Sequence, residues 1–390
     1  MKKPITTVMV GAGGYASGFV KQLLHDDPEK NFQLVGVVDP YAKSAPLYEE
    51  FKALVPVYDH LEEFYAAHTA ELAVISTPIH LHFDQCRIAL ENGSYTLCEK
   101  PLVPSLAQLN QLDALVEKSG KALAVGFQWC FSPVMLAIKK RILAGEFGKP
   151  KLFKCLVSWP RDWAYYARTS GWAGKIKTAD GALVNDSVVS NATAHYLQNS
   201  LFLLGETMED AAMLTNTRVE CYRANDIETF DTIALSGEAG GAKVYYSASH
   251  AVNFLIEPLM CYEFENAQIH INLFNQNSVC TIHHADGRVE NLGHGLSTGN
   301  RDKMIHMAES IRGERPWTCT IRTVCAHTTF IDLVAQKVPV QAFTDNLVVR
   351  DETRRCTYVK NLHMDLWKCY QHAMLPAEMN MTWAVEGTVI

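Results

Sequence analysis

The sequence predicts an α/β domain with a doubly wound parallel sheet, followed by an α+β domain with a large, mostly antiparallel open sheet. Over residues 1–127, short apolar runs alternate with segments of helical periodicity. From residue 128 to residue 390, apolar runs follow one another with few helical segments between them. Alternation of strand and helix is typical of a parallel sheet covered on both faces, whereas strands in succession favour antiparallel pairing. A chain of 390 residues is long enough for two domains.

The N-terminal segment carries the clearest local signal. A strand predicted over residues 5–10 breaks into Gly-x-Gly-x-x-Ala, and apolar residues then recur at helical spacing. Gly11 permits a sharp turn, Gly13 lets backbone approach a pyrophosphate, and Ala16 lets the helix pack on the strand. The phosphates would lie at the positive end of the helix dipole, so the pattern predicts a Rossmann-type dinucleotide site. The predicted cofactor contacts of this turn are Gly11, Gly13, Gly14, Tyr15 and Ala16.

The second apolar run, Leu34–Val38, ends in Asp39. In a dinucleotide-binding domain, a carboxylate at this position accepts hydrogen bonds from the ribose hydroxyls of adenosine. A carboxylate also repels the additional phosphate of NADP, so Asp39 predicts NAD and makes NADP the less favoured cofactor. Lys43 is near enough to soften that preference, and Asp39 could instead be an ordinary turn residue at a strand end.

In the rest of the first domain the sequence predicts three further buried strands. Their carboxyl ends should border the crevice that binds the ligand. Helices are predicted between them, one of them capped by Ser105 and ended by Gly120. The predicted strands are Leu72–Ser76, Tyr95–Cys98 and Ala122–Val125, and other predicted helices include Ser44–Leu54, Leu61–Ala67 and Phe83–Leu90.

Cys98-Glu99-Lys100-Pro101 is the second informative stretch. A lysine at the end of a central strand, followed by proline, would point into the crevice where a nicotinamide should lie. There it could hydrogen-bond a substrate hydroxyl, and the positive charge of the cofactor could lower its pKa towards the working pH. The alternative is a surface lysine at a strand end. The position in this sheet favours a functional lysine.

The second domain is predicted from strands that follow residue 150 with one clear helix among them. That helix runs from about Ala192 to Leu204. The predicted strands are Phe153–Ser158, Thr232–Ser236, Lys243–Ser249, Tyr262–Glu265, Gln268–Leu273 and Ser278–His283, followed by helix-like pieces at Met304–Arg312 and Val324–Ala335.

Composition excludes several classes of protein. A formal net charge of −7 argues against a nucleic-acid surface, and no apolar segment reaches the roughly 20 residues that span a bilayer. The start of the chain leads straight into the first strand, which predicts no signal peptide and a cytoplasmic location. Eleven cysteines without a Cys-x-x-Cys pattern fit reduced thiols. No histidine or cysteine spacing predicts a metal site.

Taken together, these motifs resemble the glucose–fructose oxidoreductase and inositol dehydrogenase family, known as Gfo/Idh/MocA. The resemblance covers the first domain almost from end to end, and the second domain more thinly. The residues that carry it are Gly11-Ala12-Gly13-Gly14, Asp39, Ser76-Thr77-Pro78 with His82, Asn92-Gly93, Cys98-Glu99-Lys100-Pro101, Val125-Gly126-Phe127, Gly145-Glu146-Phe147-Gly148, His195 and Gly205. It adds Ser76, Thr77, Pro78, His82, Glu99, Lys100 and Gln128 to the expected cofactor contacts.

The resemblance implies a secondary alcohol of a sugar or polyol as substrate, with catalysis by the lysine of Glu-Lys-Pro and an Asp/His pair four residues apart. Lys100 matches the lysine and His195 the histidine, but Asn191 stands where the family usually has aspartate. Asparagine cannot accept a proton, although it can orient a hydroxyl. Asp186 could supply the missing carboxylate or could simply cap a helix.

The sequence predicts a loop over Trp159–Tyr166 that interleaves aromatic and charged residues. Aromatic rings stack on the C–H faces of sugars, while charged groups bind hydroxyls, so Arg161, Trp163 and Tyr166 join Lys100, Asn191 and His195 as expected substrate contacts. A subunit contact or local core explains such a loop equally well. Gln128 and Trp129 replace the asparagine and arginine expected after Gly-Phe, so contacts there can differ.

The sequence therefore predicts an NAD-dependent oxidoreductase that acts on a sugar, sugar derivative or polyol, with Lys100, His195 and Asn191 as catalytic residues. Two rivals remain open: NAD-dependent glycoside cleavage by transient oxidation, and a sensor or regulator that binds cofactor without turnover. The resemblance also implies a homodimer or homotetramer formed through the open sheet. No nucleic-acid, membrane or metal partner is expected.

Overall fold

The structure is a computed structural model that describes residues 2–168, 171–274, 277–293 and 299–390. The chain divides into two compact units. The first contains Met1–Ser132 and Ser297–Val324, and the second contains Pro133–Leu296 and Cys325–Ile390. The division differs from the predicted boundary after residue 127, because a late segment of the chain belongs to the first unit.

The first unit begins with alternating strands and helices, as predicted. Apolar runs form its strands because they are buried on both faces, as in other parallel sheets. Ser105 caps α5 by accepting a hydrogen bond from the amide of Gln108, and Gly120 ends that helix in the left-handed conformation. The elements are β1 Ile5–Val10, α1 Ala16–Leu24, β2 Phe32–Val38, α2 Tyr48–Lys52, β3 Val57–Tyr58, α3 Leu61–Ala67, β4 Leu72–Ile75, α4 Ile79–Glu91, β5 Tyr95–Cys98, α5 Leu106–Ser119 and β6 Leu123–Val125. Two 3₁₀ turns, Ala42–Ser44 and Gln128–Phe131, complete the segment.

The later part of the chain contains most of the strands. Its elements are α6 Pro133–Leu143, β7 Pro150–Ser158, α7 Trp163–Tyr166, α8 Ala194–Leu203, β8 Thr215–Arg223, β9 Thr232–Ala239, β10 Ala242–Ser249, β11 Ile256–Phe264, β12 Ala267–Phe274, β13 Asn277–His284, β14 Val289–Asn291, α9 Asn300–Ile311, α10 Ile321–Lys337, β15 Val340–Ala342, β16 Val348–Asp351, β17 Cys356–Val359, α11 Leu362–His372 and β18 Thr388–Val389. A π-helical turn, Val188–Ala192, precedes α8.

The sheet of the first unit has the order β3-β2-β1-β4-β5-β6, with parallel pairing throughout. Chain order reverses between β1 and β4, and in open α/β sheets ligands bind at such a switch point, outside the carboxyl ends of the strands. The predicted doubly wound sheet is therefore confirmed, and it puts the glycine turn after β1 at the switch point.

The first unit is completed by α9, which packs against α1 and the turn 128–131. This helix buries Lys303, Met304, His306 and Met307. After α9 in the chain, the carbonyl of Cys319 accepts a hydrogen bond from the backbone amide of Val125 in β6. Residues near the end of the chain thus extend a domain that starts at its beginning.

The second unit contains a ten-stranded, mostly antiparallel sheet, as predicted. Its order is β14-β13-β12-β11-β7-β10-β9-β8-β15, with β18 also paired to β8. Parallel pairing occurs between β7 and β10 and between β8 and β15. The C-terminal helix α11 packs with Leu362 and Leu366 against Leu156 and Tyr222 of the sheet. No helix in the described ranges is both long and apolar enough to cross a membrane.

Candidate active site

The glycine turn after β1 has the geometry that a dinucleotide requires. Gly11 has a φ of +91°, and a Cβ added there would lie 2.3 Å from the carbonyl oxygen of Ser76. Only glycine therefore lets the ends of β1 and β4 approach this closely. A Cβ added at Gly13 or Gly14 would meet no heavy atom of the described residues within 4 Å. The space above these two residues fits a pyrophosphate at the start of α1.

Asp39 joins the end of β2 to the glycine turn. Its Oδ2 accepts a hydrogen bond of 2.8 Å from the amide of Ala12, and its Oδ1 accepts one of 2.8 Å from the amide of Tyr41. An ionised carboxylate has about four acceptor sites, so these bonds leave capacity for ribose hydroxyls. Asp39 thus orients the glycine turn in addition to its predicted role towards the cofactor.

A buried ion pair lies beside the glycine turn. Lys303 of α9 is fully buried and donates to Glu99, which is 7% exposed, and to the Tyr15 hydroxyl at 3.2 Å. The same hydroxyl lies 3.4 Å from Oε1 of Gln128. Burial lowers the pKa of Lys303, but Glu99 and Tyr15 raise it more, so the pKa is raised on balance. Burial and Glu99 together raise the pKa of Tyr15.

The ion pair holds Glu99, the residue that directly precedes the predicted catalytic lysine, Lys100. Lys100 follows β5, and its amide donates to Oε2 of Glu99 at 3.3 Å. A Cβ added at Gly126 would lie 2.5 Å from Oε1 of Glu99, so glycine is needed beside this carboxylate. The Glu99 side chain is therefore enclosed by Lys303 and Gly126, and it sets the start of the Lys100–Pro101 segment.

His82 connects two loops at the carboxyl ends of the strands. Its ring is 1% exposed, with Nδ1 2.9 Å from the carbonyl of Pro101 and Nε2 2.9 Å from that of Thr77. Burial lowers the pKa of His82. Both ring nitrogens are thus engaged by backbone, so the structure gives His82 a positioning role towards the Ser76-Thr77-Pro78 and Glu-Lys-Pro segments rather than an open face for a cofactor.

In the second unit, the predicted helix begins later than expected. Ser187 caps a π-helical turn by accepting from the amide of Ser190 at 3.3 Å, and α8 starts only at Ala194. Asn191 lies in the wide turn and His195 in the first turn of α8, so the two do not share the regular helical face that a spacing of four residues predicts. His195 is partly exposed.

The carboxylate of Asp186 adjoins Asn191. Oδ1 of Asp186 accepts from Nδ2 of Asn191 at 3.0 Å, and Oδ2 accepts from the amide of Gly174 at 2.7 Å. Asp186 is only 3% exposed. Because Ser187 is the capping residue, helix capping does not explain Asp186. A carboxylate and the amide at the family's aspartate position therefore form one hydrogen-bonded pair.

The residues of the aromatic loop differ in their contacts. Trp163 is held by other residues of the protein, whereas a buried group of Tyr166 has no partner in the described chain. The Trp163 indole donates to Oγ1 of Thr357 at 3.0 Å, and its ring centre lies 4.4 Å from the guanidinium of Arg350. These contacts anchor the loop to the β16–β17 hairpin, and the substrate contact of Trp163 stays a prediction. Arg161 stacks on Tyr165 at 4.7 Å. The buried hydroxyl of Tyr166 has no hydrogen-bond partner among the described residues.

Sequence reasoning missed Lys303, Arg168 and His250. Lys303 carries no motif, and its spacing with Met304 and Met307 on one helical face is the only signal of burial. Arg168 continues the alternation of arginine with aromatic residues beyond the predicted loop. His250 follows β10, whose carboxyl end lies beside that of β7 because the two strands are parallel.

Comparison with known proteins first identifies the N-terminal domain. Residues 5–127 match the model of an oxidoreductase family described as having an NAD-binding Rossmann fold. The match covers the glycine turn, Asp39 and the Glu-Lys-Pro segment.

Curated relatives include inositol dehydrogenases. Inositol 2-dehydrogenase of Rubrobacter xylanophilus is 27% identical over 207 residues, which cover 53% of this chain and 54% of the relative. The scyllo-inositol 2-dehydrogenase (NAD(+)) of Bacillus subtilis is 38% identical over 84 residues, which cover 22% of this chain and 25% of the relative. The chain thus spans about half the length of the first relative and about a quarter of the second.

Among solved structures, the WlbA dehydrogenase from Bordetella pertussis, in complex with NADH and UDP-GlcNAcA, has a TM-score of 0.67 at 19% identity. The superposition covers 85% of this chain and 95% of that one. At this identity the likeness establishes the two-domain fold.

Proposed function

The first domain belongs to the Gfo/Idh/MocA family of NAD-binding oxidoreductases, and from this premise we propose that the chain transfers a hydride between NAD and a secondary alcohol of a sugar, sugar derivative or polyol. The observation that carries the proposal is Lys100 at the carboxyl end of β5, next to the switch point of an NAD-binding sheet. The inositol and sugar-nucleotide relatives support this class of substrate.

Several residues of this chain would hold the cofactor. Gly13 and Gly14 leave room for the pyrophosphate, and Asp39 would accept from the adenosine ribose. When bound, NAD supplies the nicotinamide that exchanges the hydride with the alcohol carbon. Asp39 favours NAD over NADP because its charge opposes a 2′-phosphate.

Lys100 is proposed to hydrogen-bond the reacting hydroxyl, and His195 to take its proton. Histidine is the side chain most often used to accept and return a proton in catalysis near neutral pH. Asn191 would orient the hydroxyl. Asp186 would keep the Asn191 amide in one orientation, since Nδ2 donates to its Oδ1.

The experiment is a spectrophotometric screen for NADH with a library of sugars and polyols, comparing the wild type with Lys100→Met. Turnover should fall by about a hundredfold or more in the variant, while NAD affinity stays within a few-fold. Near-normal turnover in Lys100→Met would remove the lysine from the mechanism. Release of an aglycone without net NADH would favour glycoside cleavage, and NAD binding without any turnover would favour a sensor.

A further inference from the structure

Two arginines of the second unit share one aromatic ring. The guanidinium of Arg161 lies 4.7 Å from the centre of the Tyr165 ring, and that of Arg168 lies 4.3 Å from it. Arg168 also lies 4.3 Å from the ring of Trp172. Stacking uses the flat face of a guanidinium and leaves its edge, which carries the N–H donors, available.

Several donors on these edges have no partner in the described chain, although Arg168 also hydrogen-bonds the Tyr165 side chain. Nε of Arg161 and both Nε and Nη2 of Arg168 are buried, with no hydrogen-bond partner among the described residues. Neither guanidinium forms a salt bridge within the same ranges, whereas Arg350, which stacks on Trp163, pairs with Glu352 at 3.2 Å. Withdrawing a cation from water without a salt-bridge partner is unfavourable, so two neighbouring arginines that both lack such a partner suit an anionic ligand.

The fold brings further polar groups to the same end of the sheet. Arg161 follows β7 and His250 follows β10, and the amide of Arg161 donates to the carbonyl of His250 at 3.3 Å. His250 is 3% exposed, its Nδ1 lies 2.8 Å from the carbonyl of Trp159, and its Nε2 has no partner in the described chain. Burial and Arg161 lower the pKa of His250 to about 3, so the ring is neutral. With Nδ1–H donating, Nε2 is an acceptor.

We propose that the substrate carries an oxyanion, a carboxylate or a phosphate, which Arg161 and Arg168 bind through their guanidinium edges. The proposal rests on the proposed function and narrows its substrate class to acidic sugars or polyols. Guanidinium forks match the geometry of both oxyanions. Nε2 of His250 and the hydroxyl of Tyr166 are neutral groups that suit the hydroxyls of the same substrate.

The test uses three hexoses that differ only at carbon 6: glucose, glucuronate and glucose 6-phosphate. Calorimetry in the presence of NAD should show tighter binding of at least one of the acids than of glucose, and the better acid identifies the oxyanion. Arg161→Gln and Arg168→Gln should each weaken that binding by about tenfold to a hundredfold, as for loss of a charge-assisted hydrogen bond. Arg350→Gln, a stacked arginine that already has an acidic partner, should leave it unchanged.

Two outcomes overturn the inference. One is acid binding no tighter than glucose binding; the other is acid binding that Arg161→Gln and Arg168→Gln leave intact. Failure of the proposed function has a different signature, because binding that depends on both arginines can be observed without any NADH formation. Conversely, NADH formation from neutral sugars with an unchanged KM in both variants would retain the proposed function and reject the oxyanion.

Discussion

The two units stabilise buried carboxylates in different ways. In the first unit Glu99 is paired with a fully buried cation, Lys303. In the second unit Asp231 and Glu220 are equally buried, but no cation in the described ranges lies within salt-bridge distance of either. Asp231 accepts from the amides of Ala224 and Asn225 and from two side chains, and Glu220 accepts from the Tyr222 hydroxyl at 2.6 Å and the amide of Ala377 at 3.1 Å.

From this difference we infer how the stability of each unit should depend on pH. A carboxylate with its own cation is stabilised in the charged form, whereas a carboxylate held by neutral donors depends on whether those donors outweigh burial. Burial raises the pKa of Glu220 to about 7 and raises the pKa of Asp231. We therefore expect the stability of the second unit to vary with pH at these acids.

The largest expected effect concerns the ion pair. Lys303→Met should lower the free energy of unfolding of the first unit by about 3–5 kcal/mol, because Glu99 is left as an uncompensated buried charge. The change is measured by denaturant unfolding, with the loss of NAD binding as the signal that reports unfolding of the first unit. The double variant Glu99→Gln/Lys303→Met should recover more than half of the loss. A single variant within about 1 kcal/mol of the wild type would show that the pair is not needed.

Glu220 gives the pH-dependent prediction. A folded-state pKa of about 7, above the ordinary value of 4.5, means that its contribution is complete below pH 4.5 and is lost as the pH rises through 7. Glu220→Gln cannot ionise, so its stability relative to the wild type should rise between pH 5 and pH 8, by at most about 3 kcal/mol. Urea titrations across this range measure the difference, with the exposed Glu238→Gln as control. Parallel pH profiles for wild type and Glu220→Gln would contradict the assignment.

Asp231 should matter less, and mainly through hydrogen bonds. Asp231→Asn turns one acceptor atom into a donor that faces the amides of Ala224 and Asn225, which should cost about 1–3 kcal/mol. Asp226→Asn, an exposed change in the same loop, is the matched control for urea unfolding at pH 7. Equal stability of the two variants would indicate that water or a rearranged loop replaces the lost acceptor.

The smallest expected effect follows from replacing Asp39, a partly exposed carboxylate, and it concerns the preference for one cofactor over another. Asp39→Asn keeps one acceptor for the amide of Ala12 or Tyr41 but removes the charge, so the preference for NAD over NADP should fall by about tenfold. Calorimetric titration with both cofactors measures the ratio, and Asp59→Asn serves as the control. Tighter binding of NADP than of NAD by the wild type would refute the role assigned to Asp39.

Much of the fold follows from local sequence patterns. The strands Ile5–Val10 and Tyr95–Cys98 and the helix Leu61–Ala67 have their predicted bounds, because residues of high strand propensity form the two strands and apolar residues recur at helical spacing in the helix. The strand β8 was missed, since Arg218 and Glu220 interrupt its apolar pattern. The helix predicted over Ser44–Leu54 is a 3₁₀ turn followed by the short α2.

The site was predictable where chemistry is tied to a motif and not where it arises from tertiary contacts. The glycine turn and the position of Lys100 after β5 followed from the sequence. The partner of Asn191 did not, because the choice between Asp186 as carboxylate and as cap depends on the π-helical turn that Ser187 caps. The burial of Lys303 beside Glu99 was not predicted either, because helical periodicity indicates that one face of α9 is buried but not which sheet it covers.

The discontinuity of the first unit has a consequence for biosynthesis. A ribosome that has made Met1–Ser132 has not yet made the helix that supplies Lys303, since that helix lies in Ser297–Val324. At about 5–20 residues per second, synthesis of the intervening residues takes about eight to thirty-five seconds. During this interval Glu99 lacks its cation and the nascent domain lacks α9. We therefore expect the nascent domain to acquire its final stability only after most of the second unit has left the exit tunnel.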